Sequence, residues 1–348
     1  MADDPELSCP LPFAGYDRVV LAHGGGGRLM HQLVRDVFLA AFGDPLQARG
    51  HDGAVVELGG RTALTTDAFT VRPLFFPGGD IGSLAVHGTV NDLAMCGARP
   101  LHLTASFILE EGLPLADLRR IVGSMAGAAR QARVGIVTGD TKVVERGKGD
   151  GVFIAVTGVG RVESRHEIAA HRVRPGDALI VSGPVGDHGV AVMLAREDLA
   201  IECDVTSDSA SVAPPVLALL DAGIDVHCLR DPTRGGLATV LCEIASAARL
   251  GVHVVEAAIP VRPGVADACE LLGLDPLYIA CEGRFVAFVA GEDAELALEV
   301  LRHTPGGEEA RRIGHVRAEH PGVVVLEQPL GGERVLDMLT GEQLPRIC

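Results

Sequence analysis

The spacing of hydrophobic positions predicts helices and strands throughout the first half of the chain. Apolar residues recur every four positions from Leu29 to Ala41, which is typical of an amphipathic helix that begins near Arg28. Apolar and polar residues alternate over Leu101–Leu109, as in a half-buried strand. The same reasoning predicts strands at Val19–Leu21, Val134–Thr138 and Val152–Val159, a hairpin of Ala54–Leu58 and Arg61–Thr66 around Gly59-Gly60, and helices at Ile81–Cys96 and Leu115–Ala129.

The second half repeats the order strand, glycine-rich loop, helix. The predicted elements are Ala178–Ser182, Gly183–Gly189 and Val190–Arg196, then Val226–Leu229, Arg230–Gly236 and Leu237–Arg249, with further strands at Val252–Val255, Phe285–Ala290 and Val323–Leu326 and helices at Val265–Leu272 and Ala294–His303. Both halves mix helices and strands, so we expect an α/β protein of the α+β type, with two domains for 348 residues. The predicted boundaries are a leader at 1–16, an N-terminal domain at 17–165, a C-terminal domain at 166–340 and a tail at 341–348.

The charge of the chain limits the partners that it can bind. Its formal net charge is −16 at pH 7, and no stripe or cluster of Lys and Arg interrupts this acidic balance. Such a composition argues against binding to nucleic acid or to an anionic membrane surface. An anionic substrate such as ATP would need metal ions and backbone amides to bind.

Cysteine usage indicates a reduced compartment. None of the eight cysteines forms a C-x-x-C pair, so we expect neither a zinc knuckle nor a thioredoxin-type site. The first residues, Met1–Glu6, are acidic and are not followed by the apolar core of a signal peptide. The sequence has no uncharged apolar stretch of about 18 residues that could span a bilayer. We therefore expect a cytoplasmic protein.

The last residue of the chain is a cysteine, Cys348, in a short segment that begins at Leu344. A thiol in this position could be loaded with a chemical group at one site and carried to another. Fully extended, residues 341–348 reach about 25 Å, at roughly 3.3–3.6 Å per residue. Pro345 stiffens the segment, and Arg346 favours the thiolate. The alternative is that one of eight cysteines happens to fall last.

A glycine-rich loop precedes the first predicted helix. It comprises Gly24, Gly25, Gly26 and Gly27. Consecutive glycines before a helix let backbone N–H groups approach a phosphate at the positive end of the helix. The loop has neither the Gly-Lys-Ser/Thr of a P-loop nor a full G-x-G-x-x-G pattern. A flexible surface loop is therefore an equally good interpretation.

Three acidic motifs in the first half suit a site for magnesium and a nucleotide. Thr65-Thr66-Asp67 ends a predicted strand, Asn91-Asp92 lies within an otherwise apolar helix, and Gly139–Lys142 follows another strand. A carboxylate inside an apolar helix needs a partner. Several carboxylates gathered near a lysine suit Mg²⁺ that bridges a triphosphate. Each aspartate taken alone could be only a cap or a turn residue.

Three further residues have both a functional and a structural interpretation. His87 could line the same cleft as Asn91, or it could make a hydrogen bond within the core. Arg234, beside two glycines at a predicted helix start, could clamp an anion, although Thr233 could simply cap the helix. Glu282, between an apolar run and a strand, could be a general base or a turn residue.

Together these motifs resemble the aminoimidazole-ribonucleotide-synthase superfamily, whose domains are called PurM-like. With the Pro345–Cys348 end, they resemble its hydrogenase-maturation branch, the HypE family. The resemblance runs from about residue 17 to the C-terminus. It is carried by Gly24–Gly27, Thr66-Asp67, Asn91–Met95, Thr138–Val143, Gly186–Gly189, Asp231–Gly236 and Glu282-Gly283.

The resemblance implies an architecture and a chemistry. It implies two PurM-like domains, with the first contributing strands to the β-barrel of a homodimer. It also implies that Cys348 receives a carbamoyl group from the carbamoyltransferase HypF. The chain would then dehydrate this S-carboxamide to an S-thiocyanate with ATP and pass cyanide to iron on the HypC–HypD complex.

The residues and the resemblance together predict the roles of the site residues. Catalysis is assigned to Cys348, Glu282 as the base, and Lys142, which would neutralise charge or aid proton removal. Metal binding is assigned to Asp67, Asp92 and Asp140. ATP binding is assigned to these three and to Gly24, Gly25, Gly26, Gly27, Asn91, Thr141 and Arg234, while Asp231 could order the wall of the second domain.

One position departs from the family pattern. Cys281 stands where the family usually has Asn, before Glu282-Gly283.

Two other functions compete with the dehydratase. A small-molecule synthase or kinase of the same superfamily would keep its activity without Cys348. A nucleotide-binding scaffold would bind ATP but release no phosphate, even with a carbamoylated tail.

Overall fold

The first half of the chain folds into a four-stranded sheet with a small hairpin beside it. A computed structural model describes residues 16–25, 28–46, 54–196 and 204–338. The strands of this half are β1 (Thr62–Phe69), β2 (Phe75–Phe76), β3 (Gly79–Asp80), β4 (Ala98–Glu110), β5 (Gly135–Val144) and β6 (Val152–Val162). The sheet has the order β1-β6-β4-β5, in which β4 and β5 are parallel, while β2 pairs with β3.

Helices cover one face of this sheet. They are α1 (Arg28–Leu33), α2 (Ala40–Phe42), α3 (Ile81–Met95) and α4 (Leu115–Ala132), with a π-helical stretch at Val34–Leu39 joining the first two. Helix α3 begins where Asp80 caps it, because Asp80 Oδ1 accepts the N–H groups of Gly82 and Ser83 at 2.8 and 3.0 Å. Nearly every residue of α3 is buried, since the helix lies between the sheet and the second half of the protein.

The second half forms a larger sheet with helices on both sides. Its strands are β7 (Ala178–Val181), β8 (Val226–Arg230), β9 (Gly251–Val255), β10 (Val286–Val289), β11 (Arg311–Arg317), β12 (Val324–Glu327) and β13 (Glu333–Leu336), in the order β13-β12-β9-β11-β7-β10-β8. Its helices are α5 (Asp187–Leu194), α6 (Ala213–Asp221), α7 (Gly236–Ala248), α8 (Pro263–Leu272) and α9 (Ala294–Arg302). Strands β7 and β10 are buried on both faces, as expected for a sheet between helix layers.

The two halves share a hydrophobic core. Ile180 of β7 and Leu219 of α6 belong to the same buried cluster as Leu84 of α3 and Val156 of β6. The opposite face of the second sheet has its own core, in which Phe288 packs with residues of α7. Among the described residues, no helix is long and apolar enough to cross a membrane.

Three predictions about the elements are wrong. Val19–Leu21 is not a strand, because only Arg18 makes an isolated bridge and Leu21–Gly24 is a 3-10 turn. Ala54–Leu58 forms no hairpin with β1, whose partner is β6, and Val55 is 86% exposed with no core to join. The motif at Gly139–Lys142 lies inside β5 rather than after a strand, since β5 continues to Val144. The other predicted strands and helices are confirmed, with shifted ends.

Candidate active site

Strand β1 and helix α3 bring two of the predicted metal-binding carboxylates together. Asp67 lies in β1, and Asp92 lies in the last turn of α3, which packs on β1. The hydroxyl of Thr65, two residues before Asp67, donates to Asp92 Oδ2 at 2.7 Å. Burial raises the pKa of Asp92, the hydrogen bond from Thr65 opposes this rise, and the charge of Asp67 adds to it. The two carboxylates therefore form one electrostatically coupled pair.

The second domain adds an acid and a cation to this pair. Arg234 Nη2 lies 3.9 Å from Asp67 Oδ1, an ion pair between the domains in which Arg234 is largely exposed. Asp231 follows β8, which packs against α3. Burial, with the neighbouring charge of Asp92, raises the pKa of Asp231 to about 7. Carboxylates from both domains thus face the same end of α3.

The buried side chain of Glu282 faces the same helix. Its Oε2 atom lies 3.9 Å from the position that a Cβ atom would occupy on Gly88 of α3. Gly88 and Asp92 are four residues apart and lie on one helical face, about 6 Å apart along the axis. The candidate base and a candidate metal ligand are therefore neighbours. We call Asp67, Asp92, Asp231, Arg234 and Glu282 the α3 group.

A second set of predicted residues gathers at β5. Lys142 Nζ lies 3.2 Å from Asp140 Oδ2, and both side chains are more than half exposed. Thr141, between them, is buried on the opposite face of the strand. A Cβ atom on Gly24 would lie only 2.8 Å from the backbone nitrogen of Val143, so the start of the glycine-rich loop packs directly on this strand. We call Gly24, Asp140, Thr141 and Lys142 the β5 group.

Within one chain, the two groups stand at opposite edges of the first sheet. Asp67 of β1 is aligned with Val156 of β6, and Val156 is aligned with Ala105 of β4. Ala105 is aligned with Gly139 of β5, three strand spacings or about 14 Å from β1. The next residue, Asp140, points to the opposite face of the sheet, which the helices leave open. Asp140 is thus not brought together with Asp67 and Asp92 in one chain.

The carboxylate pair fits a magnesium ion that also binds a nucleotide. Among the residues that the structure describes, no group of three or more His, Cys, Asp or Glu side chains could hold a metal ion unaided. Mg²⁺ commonly binds proteins through only one or two carboxylates, while phosphates and water complete its octahedron. Asp67 and Asp92 could supply such a pair of oxygen ligands at the C-terminal end of α3.

Asn91 and His87 make contacts with the second domain. The Asn91 side-chain amide donates to the carbonyl oxygens of Ala210 and Glu282 at 3.0 and 3.1 Å, and its oxygen accepts the N–H of Val212 at 2.8 Å. His87 Nδ1 lies 3.0 Å from the Ser209 hydroxyl. Both residues join the domains in this structure, and the ATP contact of Asn91 stays a prediction.

Cys281 accepts a hydrogen bond within the core. Its Sγ atom accepts the N–H of Gly186 at 3.2 Å, and the residue is fully buried. Burial raises the pKa of the Cys281 thiol well above its ordinary value, so the group stays protonated. The thiol therefore has a structural contact at the start of α5.

Several buried polar residues near the site were not predicted from the sequence. Asp208 accepts the N–H of Glu282 at 3.1 Å, and burial raises the pKa of Asp208 to about 6. His188 Nδ1 lies 2.8 Å from the Ser207 hydroxyl. The available signal for Asp208 was its place in the run of polar residues at 206–209, which alone does not indicate a role. Gly26, Gly27 and Cys348, which were predicted, lie outside the described residues.

Comparison with known proteins identifies the class of both domains. Residues 50–162 match the N-terminal domain of AIR synthase related proteins, and residues 174–327 match their C-terminal domain. The chain therefore belongs to the two-domain class of AIR synthase related proteins.

More similar relatives identify the family within this class. The carbamoyl dehydratase HypE of Cupriavidus necator is 56% identical over 333 residues, which cover 95% of each chain. The crystal structure of HypE in complex with ATP has a TM-score of 0.91 and 52% identity, covering 94% of this chain and 99% of that one. A HypE–HypF complex matches with a TM-score of 0.78 and 45% identity, covering 88% and 99%. The chain belongs to the HypE family of hydrogenase maturation proteins.

Proposed function

We propose that the chain dehydrates an S-carboxamide on Cys348 to an S-thiocyanate in an ATP-dependent reaction. The thiocyanate would supply the cyanide ligand for the iron of [NiFe]-hydrogenase. The observation that carries this proposal is that the Glu282 carboxylate packs against α3 at Gly88, one helical turn from Asp92. The carbamoyl dehydratase relatives support the reaction, and the HypE complex with ATP supports the cosubstrate.

Asp67 and Asp92 would hold Mg²⁺ at the mouth of the cleft. A bound Mg²⁺ would supply positive charge that offsets the charge of the phosphates. Arg234 and Asp231 would close the same cleft from the second domain. Asp140 remains a candidate for the metal as well. Further ATP contacts are proposed for Asn91, Asp140, Thr141 and the glycines Gly24, Gly25, Gly26 and Gly27.

The reaction turns a poor leaving group into a good one. Transfer of the γ-phosphoryl group of ATP to the amide oxygen gives ADP and an O-phosphorylated imidate, with loss of one N–H proton. Loss of the second N–H proton and of phosphate then leaves C≡N on the sulfur. Glu282 would take the N–H protons, and Lys142 would neutralise charge in the transfer or aid proton removal. The balance is carboxamide and ATP in, and thiocyanate, ADP, phosphate and a proton out.

Two partners would load and unload the cysteine. The HypE–HypF complex supports HypF as the carbamoyltransferase that places the carbamoyl group on Cys348. The family resemblance also implies the HypC–HypD complex, which we propose as the acceptor that carries iron. The tail, predicted at 341–348, would enter the cleft for dehydration and leave it for transfer.

We also propose a homodimer in which the first sheets of two copies form a barrel. Support comes from the open face of this sheet, where Leu64 is 69% exposed and Ile108 is 42% exposed. The separation of the α3 group from the β5 group within one chain gives further support. A second copy could place its β5 group beside the α3 group of the first.

Mixed dimers test whether the site is shared between copies. We expect Asp92→Asn and Lys142→Ala each to be inactive as pure dimers. If the α3 group works with the partner's β5 group, a mixed dimer contains one site with both lesions and one site with none. Its activity should then be about half that of a wild-type dimer. If both groups act within one chain, every site of the mixed dimer carries a lesion and no activity returns.

Phosphate release tests the proposed function directly. With carbamoyl phosphate and HypF present, we expect Glu282→Gln to slow release from the carbamoylated protein by about 100-fold or more. The exposed Glu292→Gln is the matched control and should behave as the wild type. Wild-type release by Glu282→Gln would refute the base, and wild-type release by Cys348→Ser would refute the carboxamide substrate.

A further inference from the structure

The segment 204–212, which we call the connecting segment, lies between the two domains and is fixed to both. The N–H of Ser207 donates to the carbonyl oxygen of Pro77 in the β2–β3 turn at 2.8 Å. The Ser207 hydroxyl meets His188 of the second domain at 2.8 Å, and the Ser209 hydroxyl meets His87 of the first at 3.0 Å. The residue between these serines, Asp208, therefore has a fixed position.

Asp208 directs its carboxylate to the backbone of Glu282. Its Oδ1 atom accepts the Glu282 N–H at 3.1 Å, and its side chain is only 1% exposed. Its Oδ2 atom lies 3.6 Å from Arg284 Nε, which itself donates to the carbonyl oxygen of Pro184 at 3.1 Å. A Cβ atom on Gly283 would overlap the Asp208 carbonyl oxygen, so the two backbones are in direct contact.

Packing alone does not hold the connecting segment in place. A cavity of about 430 Å³ lies beside it, lined by Asp204–Asp208 and by Asp187, Arg262, Gly264 and Arg284. Without close packing on that side, the segment can shift unless hydrogen bonds fix it. Two hydrogen bonds of the segment reach the candidate base: the Glu282 N–H donates to Asp208, and the Ala210 N–H donates to the Glu282 carbonyl oxygen at the longer distance of 3.5 Å.

We propose that Asp208 is a positioning residue for dehydration, which holds the Glu282 backbone so that its carboxylate faces α3. This inference rests on the proposed function, in which Glu282 takes the amide protons. Asn91 holds the same residue from the other side by donating to the Glu282 carbonyl oxygen, which belongs to the following peptide group. The two hydrogen bonds thereby fix the position of Glu282 along the axis of α3 relative to Asp92.

Single-turnover dehydration of the carbamoylated protein, with ATP affinity measured in parallel, tests this role. A misplacement of about 1 Å can cost 100-fold in rate, so we expect Asp208→Ala to be slower by about 10- to 100-fold. We expect its ATP affinity to stay within about twofold of wild type, because Asp208 contacts no residue of the carboxylate pair. Asp208→Asn keeps an acceptor for the Glu282 N–H and should recover to within about threefold of wild type.

The controls separate this inference from the proposed function. Asp204→Ala changes an exposed residue of the same segment and cavity and should leave the rate unchanged. If Asp208→Ala does not fold, Asp208→Ser gives the same test, because its shorter side chain does not reach the Glu282 N–H. A wild-type rate for the Ala or Ser variant, an Asn variant as slow as Ala, or an ATP affinity that falls with the rate would each overturn the role of Asp208. Wild-type turnover by Glu282→Gln would instead overturn the proposed function.

Discussion

Asp92 has the environment of a cation ligand, because it is half-buried, lies close to the charge of Asp67 and accepts a hydrogen bond from Thr65. The Asp92→Asn variant keeps an acceptor for the Thr65 hydroxyl but loses the charge that a cation needs. We therefore expect ATP affinity in the presence of Mg²⁺ to fall by at least about tenfold, or about 1.4 kcal/mol. Titration calorimetry measures this, with Asp150→Asn, an exposed carboxylate paired with Arg72, as the control. Equal affinity for both variants would contradict the metal assignment.

Two buried histidines make stability depend on pH. Burial lowers the pKa of His87 to about 4 and the pKa of His188 to about 3, from an ordinary value of 6.5. The folded state therefore binds fewer protons than the unfolded chain. The stabilisation is complete above pH 6.5 and is lost as the pH falls toward the folded values.

The His87→Gln variant tests this linkage. Between pH 6.5 and pH 5, each histidine lowers the free energy of unfolding by about 2 kcal/mol. Burial of Asp208 and Asp231 acts in the opposite direction, but it is present in both proteins and cancels in the comparison. Urea unfolding at pH 7 and pH 5 should thus show a loss about 2 kcal/mol smaller for His87→Gln than for wild type. An equal loss in both proteins would show that His87 is protonated in the folded state.

For single residues, the sequence is informative where a charged side chain occurs within an apolar run. Asp92 was predicted because a carboxylate within an apolar helix needs a partner, and Thr65 is that partner. Asp208 was not predicted, because an aspartate between two serines is typical of a polar surface loop and indicates no special role. Its importance comes from the approach of Glu282, 74 positions away along the chain.

At the level of elements, the sequence predicts local periodicity better than strand pairing. Helix α3 and strand β4 were predicted because their apolar positions repeat over many residues. The hairpin at Ala54–Leu58 was wrong, because Gly59-Gly60 is a plausible turn but β1 finds a better partner in β6. That pairing joins residues nearly 100 positions apart, which no short pattern reveals.

The open face of the first sheet gives a prediction about assembly. Leu64→Asp places a charge on the face proposed to form the barrel of the dimer, so the variant should sediment as a monomer. Leu271→Asp, at a residue of α8 that is 73% exposed, is the control and should leave the sedimentation coefficient unchanged. A Leu64→Asp dimer as stable as the wild type would place the interface elsewhere.

For the whole molecule, Asn91 is a central link between the domains. Asn91→Ala would leave the carbonyl oxygens of Ala210 and Glu282 and the N–H of Val212 without this partner, at a cost of about 2 kcal/mol or more. Calorimetry should show a melting temperature lower by about 3 °C or more. Thr89→Ala removes a hydroxyl of the same helix that bonds only to Ala85, and it should cost less. An equal loss in both variants would contradict the linking role.

The relation between the two halves was the least predictable feature of the whole molecule. The mixed α/β fold class and most helices and strands could be predicted, because they depend on patterns within one segment of the chain. The separation of Asp140 from Asp67 could not, since it depends on the order of strands in the sheet. Local motifs therefore identify candidate residues but do not give the distances between them.

Intact mass spectrometry of the whole chain tests the central claim most directly. The protein is incubated with Mg²⁺, ATP, carbamoyl phosphate and the carbamoyltransferase, and Cys348→Ala is treated in parallel. The account predicts a gain equal to one carbamoyl group on the wild type, followed by the loss of one water as ATP is consumed, and no adduct on the variant. An adduct that never loses water, or no adduct at Cys348 under these conditions, would contradict the proposed dehydratase.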